Sequence, residues 1–427
     1  MRRNRTPAWE KLDNTALLFP VIANEGMSSV YRLSVSLTED VDPELLAKAQ
    51  DKVLLNFTSF RMRLRAGVFW YYFEENDKKY PDVREESELP GAYINKSRNR
   101  QFMFRLSYYK KRINLEVFHA LTDGAGGLVF LKEIVYQYLR YRHPELLEVE
   151  KDRLSAGIFL DNEDSYMKNF KKPEGGRSTA YKSQKAVTLK GEFLQKGDIG
   201  VLHGYLPLPQ IKEAAKKHGV TINQYIVGTY IYSIYKEYLK GGVSDLPVNC
   251  CVPVDLRNLY DSHTGKNFFV MISAAFKPEK EEYSFEEVLS FTAGTLKEQM
   301  DKENLEKILS YNVSNEANKL LRPIPLFIKN IAIKQVYNAT ADCTTSTVTN
   351  LGRVEIRAPY EPYVEHFYVM LSMSKGQNMK AAVASFKDTM VITFSTILAD
   401  ISIIKRFFSC LKADNVDAAI ETNGAWG

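Results

Sequence analysis

Cysteine is scarce in this chain of 427 residues: there are four, and no two of them form a Cys-x-x-Cys pair. Cys250 and Cys251 are adjacent, whereas Cys343 and Cys410 each stand alone. Adjacent cysteines are poorly placed to form a disulfide bond or to hold a zinc ion between them. We therefore expect buried, reduced thiols, as in cytoplasmic proteins.

Long hydrophobic runs are also missing. The longest apolar segments, around residues 268–276 and 323–328, fall well short of the roughly 18 residues that a membrane-spanning helix needs. The basic residues at 1–5 are followed by a mostly polar stretch rather than by the apolar core of a signal peptide. These absences predict a protein without a membrane span and a cytoplasmic location.

Neither sign of charge dominates, because the chain has 57 basic and 52 acidic residues and its net charge is only +5. The basic runs at 110–112 and 171–172 are short and far apart. A nucleic-acid-binding surface needs lysine and arginine clustered on one face. We therefore expect no nucleic-acid partner.

Strand and helix patterns alternate irregularly along the chain. In the first half they predict strands at 28–37 and 69–73, a helix at 42–55, a hairpin of 101–108 with 112–118, and a helix at 128–142. In the second half they predict helices at 209–218, 222–239, 284–304 and 400–411, and strands at 200–206, 247–253, 266–276, 347–356, 368–373, 382–386 and 389–394. Such a mixture indicates a mixed α/β or α+β class.

The length suggests more than one domain. Between residues 161 and 185 the composition shifts towards Ser, Lys, Asp and Glu, with a Gly-Gly pair, as is typical of a linker. We predict an N-terminal half at 1–165, a linker or crossover at 166–195 and a C-terminal half at 196–427.

The segment His-Ala-Leu-Thr-Asp-Gly at 119–124 is the best candidate for a site of chemistry. His119 follows a predicted strand, and an imidazole can accept a proton near neutral pH. Asp123 could fix the loop or pair with an arginine, and the glycines behind it allow close backbone approach. A structural histidine and half of a metal site remain alternatives. No third ligand lies nearby, so we expect no metal.

Other familiar motifs are missing. There is no phosphate-binding Gly-Lys-Ser/Thr, no Gly-x-Gly-x-x-Gly and no Gly-x-Ser-x-Gly nucleophile turn. Residues 119–124 do match the HxxxDG motif, and the chain resembles the superfamily that contains chloramphenicol acetyltransferase, peptide-synthetase condensation domains, plant BAHD acyltransferases and bacterial alcohol acetyltransferase-like proteins. Four further segments resemble segments of this superfamily and follow one another in the same order along the chain. They are WEKLDNTALLFP at 9–20, GVTINQYIVGTYIYSIY at 219–235, VPVDLRNLYDSHTGKNFF at 252–269 and STVTNLGRV at 346–354.

The resemblance implies two chloramphenicol acetyltransferase-like subdomains, each a mostly antiparallel mixed sheet with helices, and a tunnel at their interface. It implies that His119 is the general base, that Asp123 pairs with Arg257 as structural support, and that the Gly124 N–H lies near the reacting oxyanion. Further residues are expected to contact substrate or to line the tunnel: Asn267, Phe268, Thr347, Thr349 and Asn350.

Two departures from the family pattern bear on function. Many condensation domains have two consecutive histidines, and here Phe118 takes the first position, which favours the alcohol acyltransferase branch. Lys266 separates Gly265 from Asn267 in the segment that resembles Gly-Asn-Phe. No BAHD-type Asp-Phe-Gly-Trp-Gly segment is present either.

The implied activity is transfer of an acyl group from an acyl thioester to an alcohol. No carrier-protein domain is fused to the chain, so the acyl donor is expected to come from outside. The leading expectation is acyl-CoA as a co-substrate, with no tightly bound cofactor. An acyl carrier protein as donor, an amine as acceptor, water as acceptor and a non-catalytic binding module remain open alternatives.

Overall fold

The computed structural model describes residues 8–149, 161–172, 184–317 and 321–426. In these residues the strands are β1 Trp9–Lys11, β2 Val30–Leu37, β3 Met62–Ala66, β4 Tyr71–Glu75, β5 Arg84–Glu85, β6 Phe104–Tyr109, β7 Arg112–Phe118, β8 Gly200–Pro207, β9 Val248–Asp255, β10 Phe269–Phe276, β11 Ser346–Arg353, β12 Val364–Leu371, β13 Met379–Phe386, β14 Thr389–Thr396 and β15 Ala419–Thr422. The α-helices are α1 Phe19–Ile22, α2 Pro43–Leu54, α3 Gly124–Arg142, α4 Glu145–Val149, α5 Ser165–Asn169, α6 Leu208–Lys217, α7 Ile222–Glu237, α8 Arg257–Tyr260, α9 Phe285–Gln299, α10 Lys302–Ala317, α11 Leu326–Thr340 and α12 Ser402–Ala413.

Two larger sheets organise the molecule. The first has the strand order β12-β2-β7-β6-β5, and the second has the order β10-β9-β11-β13-β14-β8-β15. Most neighbours are antiparallel, whereas β5 runs parallel to β6 and β11 runs parallel to both β9 and β13. A third, small sheet has the order β1-β4-β3. The predicted fold class, mixed sheets with helices, is confirmed.

Each large sheet has its own hydrophobic core. Leu33 on β2, Leu115 on β7 and Phe130 on α3 are fully buried in the first core. Ile231 on α7 and Ile392 on β14 are fully buried in the second. The helices therefore cover sheet faces that would otherwise expose apolar side chains to water.

The two sheets do not divide cleanly along the sequence. Strand β12 comes from the predicted C-terminal half, yet it pairs along its length with β2 of the first sheet. Part of the predicted linker, residues 173–183, lies outside the described residues, and the rest packs on the second core through Val187 and Leu189. The boundaries at 165 and 195 stay a prediction.

Most helix ends lie within two residues of the sequence-based prediction, and two helices differ by more. The helix predicted to begin at 128 starts at Gly124, because the Asp123 side chain accepts a hydrogen bond from the Gly126 N–H and caps the first turn. The helix predicted at 284–304 is interrupted, since α9 ends at Gln299 and α10 begins at Lys302. Within the described ranges, no helix combines the length and apolar character required to cross a bilayer.

Candidate active site

His119 occupies the end of a central strand of the first sheet. Strand β7 ends at Phe118, and the His119 N–H donates to the Ser29 carbonyl oxygen at 2.9 Å, which extends the pairing with the segment before β2 by one residue. The chain then turns through residues 120–123 into α3. The backbone of His119 is therefore fixed by a strand on one side and leads into a loop on the other.

A bidentate ion pair closes this loop onto the second half of the chain. Arg257 donates from Nη1 to Asp123 Oδ2 at 3.0 Å and from Nη2 to Asp123 Oδ1 at 2.9 Å. The Phe268 N–H donates to the same carboxylate at 2.9 Å. Both side chains of the pair are almost fully shielded from solvent. Arg257 is therefore the partner of Asp123, and together they join the HxxxDG loop to the segment at 255–268.

The Arg257 guanidinium is held from several sides. It donates to the carbonyl oxygens of Thr264 at 3.0 Å and Lys266 at 2.7 Å, and it also contacts the Asp255 carboxylate. Burial lowers the pKa of Arg257, but the charges of Asp123 and Asp255 outweigh it and raise the pKa above its usual range. The guanidinium remains charged and links Asp123 to the 255–266 backbone.

The glycines of the loop allow close packing rather than unusual backbone angles. A Cβ atom on Gly126 would lie less than 3.0 Å from Thr122 Oγ1 and from the Gly265 carbonyl oxygen. A Cβ atom on Gly127 would lie less than 3.0 Å from the hydroxyl oxygen of Tyr31. That hydroxyl donates to the Asp123 carbonyl oxygen at 2.6 Å. The first turn of α3 is therefore pressed against both neighbouring segments.

The imidazole of His119 lies among aromatic rings and is half-buried. Phe19 stacks on it with a centroid distance of 4.5 Å, Tyr31 meets it edge-on at 5.1 Å, and Phe269 lies at 5.8 Å. Burial lowers the pKa of His119 below its usual value, and the negative charge of Asp123 opposes that effect only in part. His119 is therefore neutral near pH 7.

Asn267 holds one nitrogen of this ring. Its Oδ1 lies 3.0 Å from His119 Nδ1, and its Nδ2 donates to Asp13 Oδ2 at 3.0 Å. The backbone N–H of Asn267 donates to the same Asp13 oxygen at 3.2 Å, and the Ala16 N–H donates to the other at 2.8 Å. Asp13 is fully buried.

This chain of contacts determines the tautomer of His119. When Asp13 is ionised, its carboxylate only accepts hydrogen bonds, so it requires the amide nitrogen of Asn267 on its side. The amide oxygen then faces His119, and it too only accepts, so the proton of the neutral imidazole resides on Nδ1. The lone pair of Nε2 is left available.

Burial raises the pKa of Asp13 to about 7, even though hydrogen bonds from Asn267 and Ala16 act in the opposite direction. The carboxyl group that orients Asn267 therefore titrates near neutral pH. Its ionised form accepts all three N–H groups, whereas protonation removes one accepting position.

His119 lines a cavity of about 260 Å³. Phe19 and Ile22 contribute from α1, and Tyr337 and Thr340 contribute from α11. The remaining lining residues are Leu18, Ser29, Val30, Tyr31, Ala341, Thr344, Leu371, Ser372, Ser374, Lys375, Gln377 and Lys380. The histidine is therefore accessible from a space between segments of both halves of the chain.

Lys380 is a buried cation in the wall of this cavity. Its ammonium group donates to the Ser372 carbonyl oxygen at 2.9 Å and to Ser374 Oγ at 2.6 Å. Burial lowers its pKa to about 7, which the proximity of Cys251 opposes only weakly. The positive charge of Lys380 in turn contributes to the lowered pKa of His119.

A larger groove of about 1180 Å³ borders the same region. Ser372 lines both spaces, and Glu116, Arg32 and Arg105 form part of the groove wall. Burial raises the pKa of Glu116, but the charges of the two arginines outweigh it and keep the pKa below its usual value. The groove runs between residues 81–107 of the first half and residues 193–199 of the second.

The expected substrate-contacting residues separate into distinct environments. Asn267 contacts His119 itself, so its amide is engaged in orienting the ring. The Phe268 ring is fully buried in the second core against Tyr166, so its position does not match the expected tunnel lining. Phe269, one residue later, faces His119 instead.

The β11 residues lie beside the cavity rather than in its described lining. Thr347 Oγ1 donates to the cavity residue Gln377 at 2.7 Å, and Thr349 is half-buried on the same side of the strand. The Asn350 side chain accepts from the Gly352 N–H at 2.8 Å. Gly124 opens α3, and a Cβ there would lie 3.0 Å from Leu351 on β11.

Asp13, Phe19 and Lys380 were not among the residues predicted from the sequence. Asp13 and Phe19 belong to the segment at 9–20 that was recognised only as a family-like start. In the described part of the chain, no group of three or more His, Cys, Asp or Glu side chains is arranged to hold a metal ion.

No protein-family model and no curated protein sequence matches this chain. Solved structures do. The trichothecene 15-O-acetyltransferase TRI3 from Fusarium sporotrichioides superimposes with a TM-score of 0.63 at 10% identity, covering 96% of this chain and 94% of that one. F. sporotrichioides TRI101, complexed with coenzyme A and T-2, gives 0.62 at 10% identity, covering 96% and 99%. The condensation domain of the Monacolin K polyketide synthase MokA gives 0.56 at 11% identity, covering 96% and 97%.

These similarities extend over nearly the whole of each chain. The protein therefore has the two-subdomain fold of the condensation-domain and chloramphenicol acetyltransferase-like acyltransferases, as the sequence resemblance predicted.

Proposed function

We propose that the protein is an acyltransferase that moves an acyl group from an acyl thioester, acyl-CoA, to the hydroxyl group of an alcohol, with His119 as general base. The observation that carries this proposal is the hydrogen bond between His119 Nδ1 and Asn267 Oδ1, 3.0 Å long, which leaves Nε2 as the free ring nitrogen of a residue that lines a cavity. A neutral histidine of this tautomer is prepared to accept a proton.

The reaction proceeds by direct attack. Nε2 of His119 takes the proton of the acceptor hydroxyl as its oxygen forms a bond to the thioester carbonyl carbon. The carbon–sulfur bond of the resulting tetrahedral species then breaks, and the departing thiolate takes the proton back from Nε2. Acyl ester and free thiol are the products, and the enzyme returns to its starting protonation state.

Three features would lower the barrier of this reaction. Binding both substrates in one interior space removes much of the entropic cost of bringing them together. The Nδ1–H···Oδ1 bond to Asn267 strengthens as the imidazole becomes positive. We further propose that the Gly124 N–H, at the N-terminus of α3, faces the developing oxyanion, where a donor typically contributes about 10²- to 10³-fold in rate.

Asp123 and Arg257 act on this chemistry indirectly. Their ion pair fixes the loop that carries His119, so they are positioning residues. We propose that Thr347, Thr349 and Asn350 contact the substrates from β11, beside the cavity residue Gln377. Phe268 has no part in the chemistry because its ring belongs to the core.

The choice of a hydroxyl acceptor is supported by one sequence feature, Phe118 in place of a second histidine, which favours the alcohol acyltransferase branch. The solved structure of TRI101, with its bound coenzyme A, shows a nucleotide thiol accommodated by this fold. The same fold in the MokA condensation domain keeps carrier-protein-dependent transfer and amine acceptors as the alternative that the experiment must separate.

The test uses the purified full-length protein with a series of acyl-CoA donors and a matched panel of alcohols and amines of equal chain length. Free thiol is followed over time, and the acyl product is identified by mass spectrometry. We expect thiol release that depends on the alcohol, with an ester as product. Turnover only with a loaded carrier protein, or only with amines, would contradict the proposed donor or acceptor, and no turnover with any pair would contradict the activity.

A further inference from the structure

Helix α11 carries an unusual apolar face towards solvent. Phe327 is 65% exposed, Ile331 57% and Val336 65%. At 3.6 residues per turn these positions, with Ile328 and Ala332, share one side of the helix. The opposite side packs on the protein, where Leu326 is buried and Asn330 donates to the Tyr71 hydroxyl at 2.8 Å.

A short loop extends this surface. The Gly67 N–H donates to the Trp70 carbonyl oxygen at 2.9 Å, and the resulting tight turn between β3 and β4 leaves Val68 71% exposed. The Leu326 N–H donates to the Val68 carbonyl oxygen at 2.8 Å, so the loop is attached to the start of α11. We call the combined surface the apolar face, and it consists of Val68, Phe69, Trp70, Phe327, Ile328, Ile331 and Val336.

Within the two segments that form the apolar face, the charged residues have one sign. Residues 67–70 and 321–340 contain Arg322, Lys329 and Lys334 and no acidic residue. On the helical wheel of α11, Lys329 and Lys334 lie on the two borders of the exposed apolar side. An apolar helix face bordered by lysines, with aromatic side chains beside it, is the pattern of helices that lie in the interface of an anionic bilayer.

The helix that carries the apolar face also contributes, from its packed side, to the wall of the His119 cavity. Tyr337 and Thr340, on the last turns of α11, line that cavity together with Phe19 and Ile22 of α1. A surface bound along α11 would therefore lie beside the residues that lead to the histidine. Large exposed apolar patches next to a binding site commonly mark an interaction surface.

We propose that the apolar face docks on an anionic lipid bilayer and that the acceptor reaching His119 is an amphiphile dissolved in that bilayer; the second half of this statement rests on the proposed function. Seven large apolar side chains project from the face, and three basic ones accompany them. A surface with more apolar than basic side chains is suited to insertion between lipid headgroups and acyl chains. An acidic carrier protein would instead be expected to bind a surface through ion pairs.

The docking is tested by co-sedimentation of the full-length protein with vesicles of phosphatidylcholine alone and of phosphatidylcholine with about 30% phosphatidylglycerol, a composition chosen to supply anionic headgroups. We expect binding to the anionic vesicles that weakens with added salt. The double variant Ile331→Ser/Val336→Ser should bind at least about tenfold more weakly, because two apolar side chains no longer enter the bilayer.

A matched control separates this effect from a general loss of surface hydrophobicity. Ile420 on β15 is 51% exposed and lies outside the apolar face, so Ile420→Ser should bind like the parent protein. Lys334→Glu tests the charge. One basic residue near an anionic surface contributes on the order of fivefold in binding, and reversing its sign should cost more than that.

The outcomes distinguish this inference from the proposed function. Acyl transfer to a short-chain alcohol in solution, measured without vesicles, should be unchanged in Ile331→Ser/Val336→Ser. Absence of binding to anionic vesicles, or equal binding by the double variant, would overturn the docking proposal even if this soluble activity is present. Binding of the apolar face to an acidic carrier protein, without binding to vesicles, would also overturn the docking proposal. Vesicle binding without any acyl transfer would leave the docking intact and remove only the assigned acceptor.

Discussion

Asn267 Oδ1 lies 3.0 Å from His119 Nδ1, and the two residues are 148 positions apart in the chain. The amide is itself oriented by Asp13, which belongs to neither segment. Three regions of the sequence therefore meet at one imidazole, and their contacts determine which ring nitrogen is free.

Replacing Asn267 with alanine removes the acceptor for the Nδ1 proton. A hydrogen bond to a charged group contributes about 1.5–3 kcal/mol, and this one gains strength when His119 becomes an imidazolium. We predict that Asn267→Ala lowers kcat about ten- to hundredfold with little change in KM. Steady-state kinetics with the preferred substrate pair measure both constants. A change confined to KM would assign Asn267 to substrate binding instead.

Asp13 makes stability depend on pH in a distinctive way. Its pKa is raised to about 7 in the folded protein, so the folded state binds more protons than the unfolded state between roughly pH 4 and 7. The stability associated with its protonated form is present below about pH 4 and is lost as pH rises through about 7. The Asp13→Asn variant has no ionisable group at this position. As the pH rises from about 4 to 7, its free energy of unfolding should therefore increase relative to that of the parent by a few kcal/mol.

Denaturant unfolding of both proteins at several pH values between about 4 and 8 provides the measurement. The difference between the two free energies is decisive, because other titrating groups are common to both proteins. A difference that stays constant with pH would mean that Asp13 keeps an ordinary pKa.

The ion pair of Asp123 with Arg257 is nearly free of solvent, so removal of one partner leaves a buried charge uncompensated. We predict that Arg257→Met lowers the free energy of unfolding by about 3–5 kcal/mol. The matched control is Arg406→Met, since Arg406 pairs with Glu237 at a more exposed site and should cost no more than about 1 kcal/mol. Equal losses in the two variants would contradict a structural role for the buried pair.

Two helical glycines provide a test of the packing around the HxxxDG loop. A Cβ atom added to Gly294 in α9 would have no neighbour within 4 Å, so Gly294→Ala should stabilise the protein by about 1 kcal/mol through helix propensity. Gly126 in α3 is pressed against Thr122 and Gly265, so Gly126→Ala should destabilise it by about 1–3 kcal/mol. Thermal or denaturant unfolding compares the pair, and the same sign for both would refute the proposed close contact.

Local patterns predicted the elements that depend on local sequence. The hairpin of β6 and β7 and the helix α2 follow from alternation, from helical spacing and from Asp42, whose side chain caps the first turn of α2. The pairing of Asp123 with Arg257 was expected only because the family resemblance joined two distant motifs. Residue patterns alone contain no information on which distant segments meet.

The missed features are those that depend on long-range pairing or on register. Strand β12 joins β2 across more than three hundred residues, and Asp13 reaches Asn267 across 254. In the pair Phe268 and Phe269, one residue of register decides which ring faces His119, because neighbouring side chains of an extended segment point to opposite sides. Helix α11 was not predicted, since much of its apolar surface is exposed and packs in neither core. Helix α10 was not predicted either, although its Leu305, Leu309 and Val313 pack in the second core.

The central claim is that His119 removes the proton from the acceptor in the cavity. The most direct measurement is the rate of thiol release by His119→Ala with the preferred acyl-CoA and alcohol, together with its free energy of unfolding. We predict that turnover is abolished while the free energy of unfolding stays within about 1 kcal/mol of the parent value. Undiminished thiol release by the folded variant would contradict the claim.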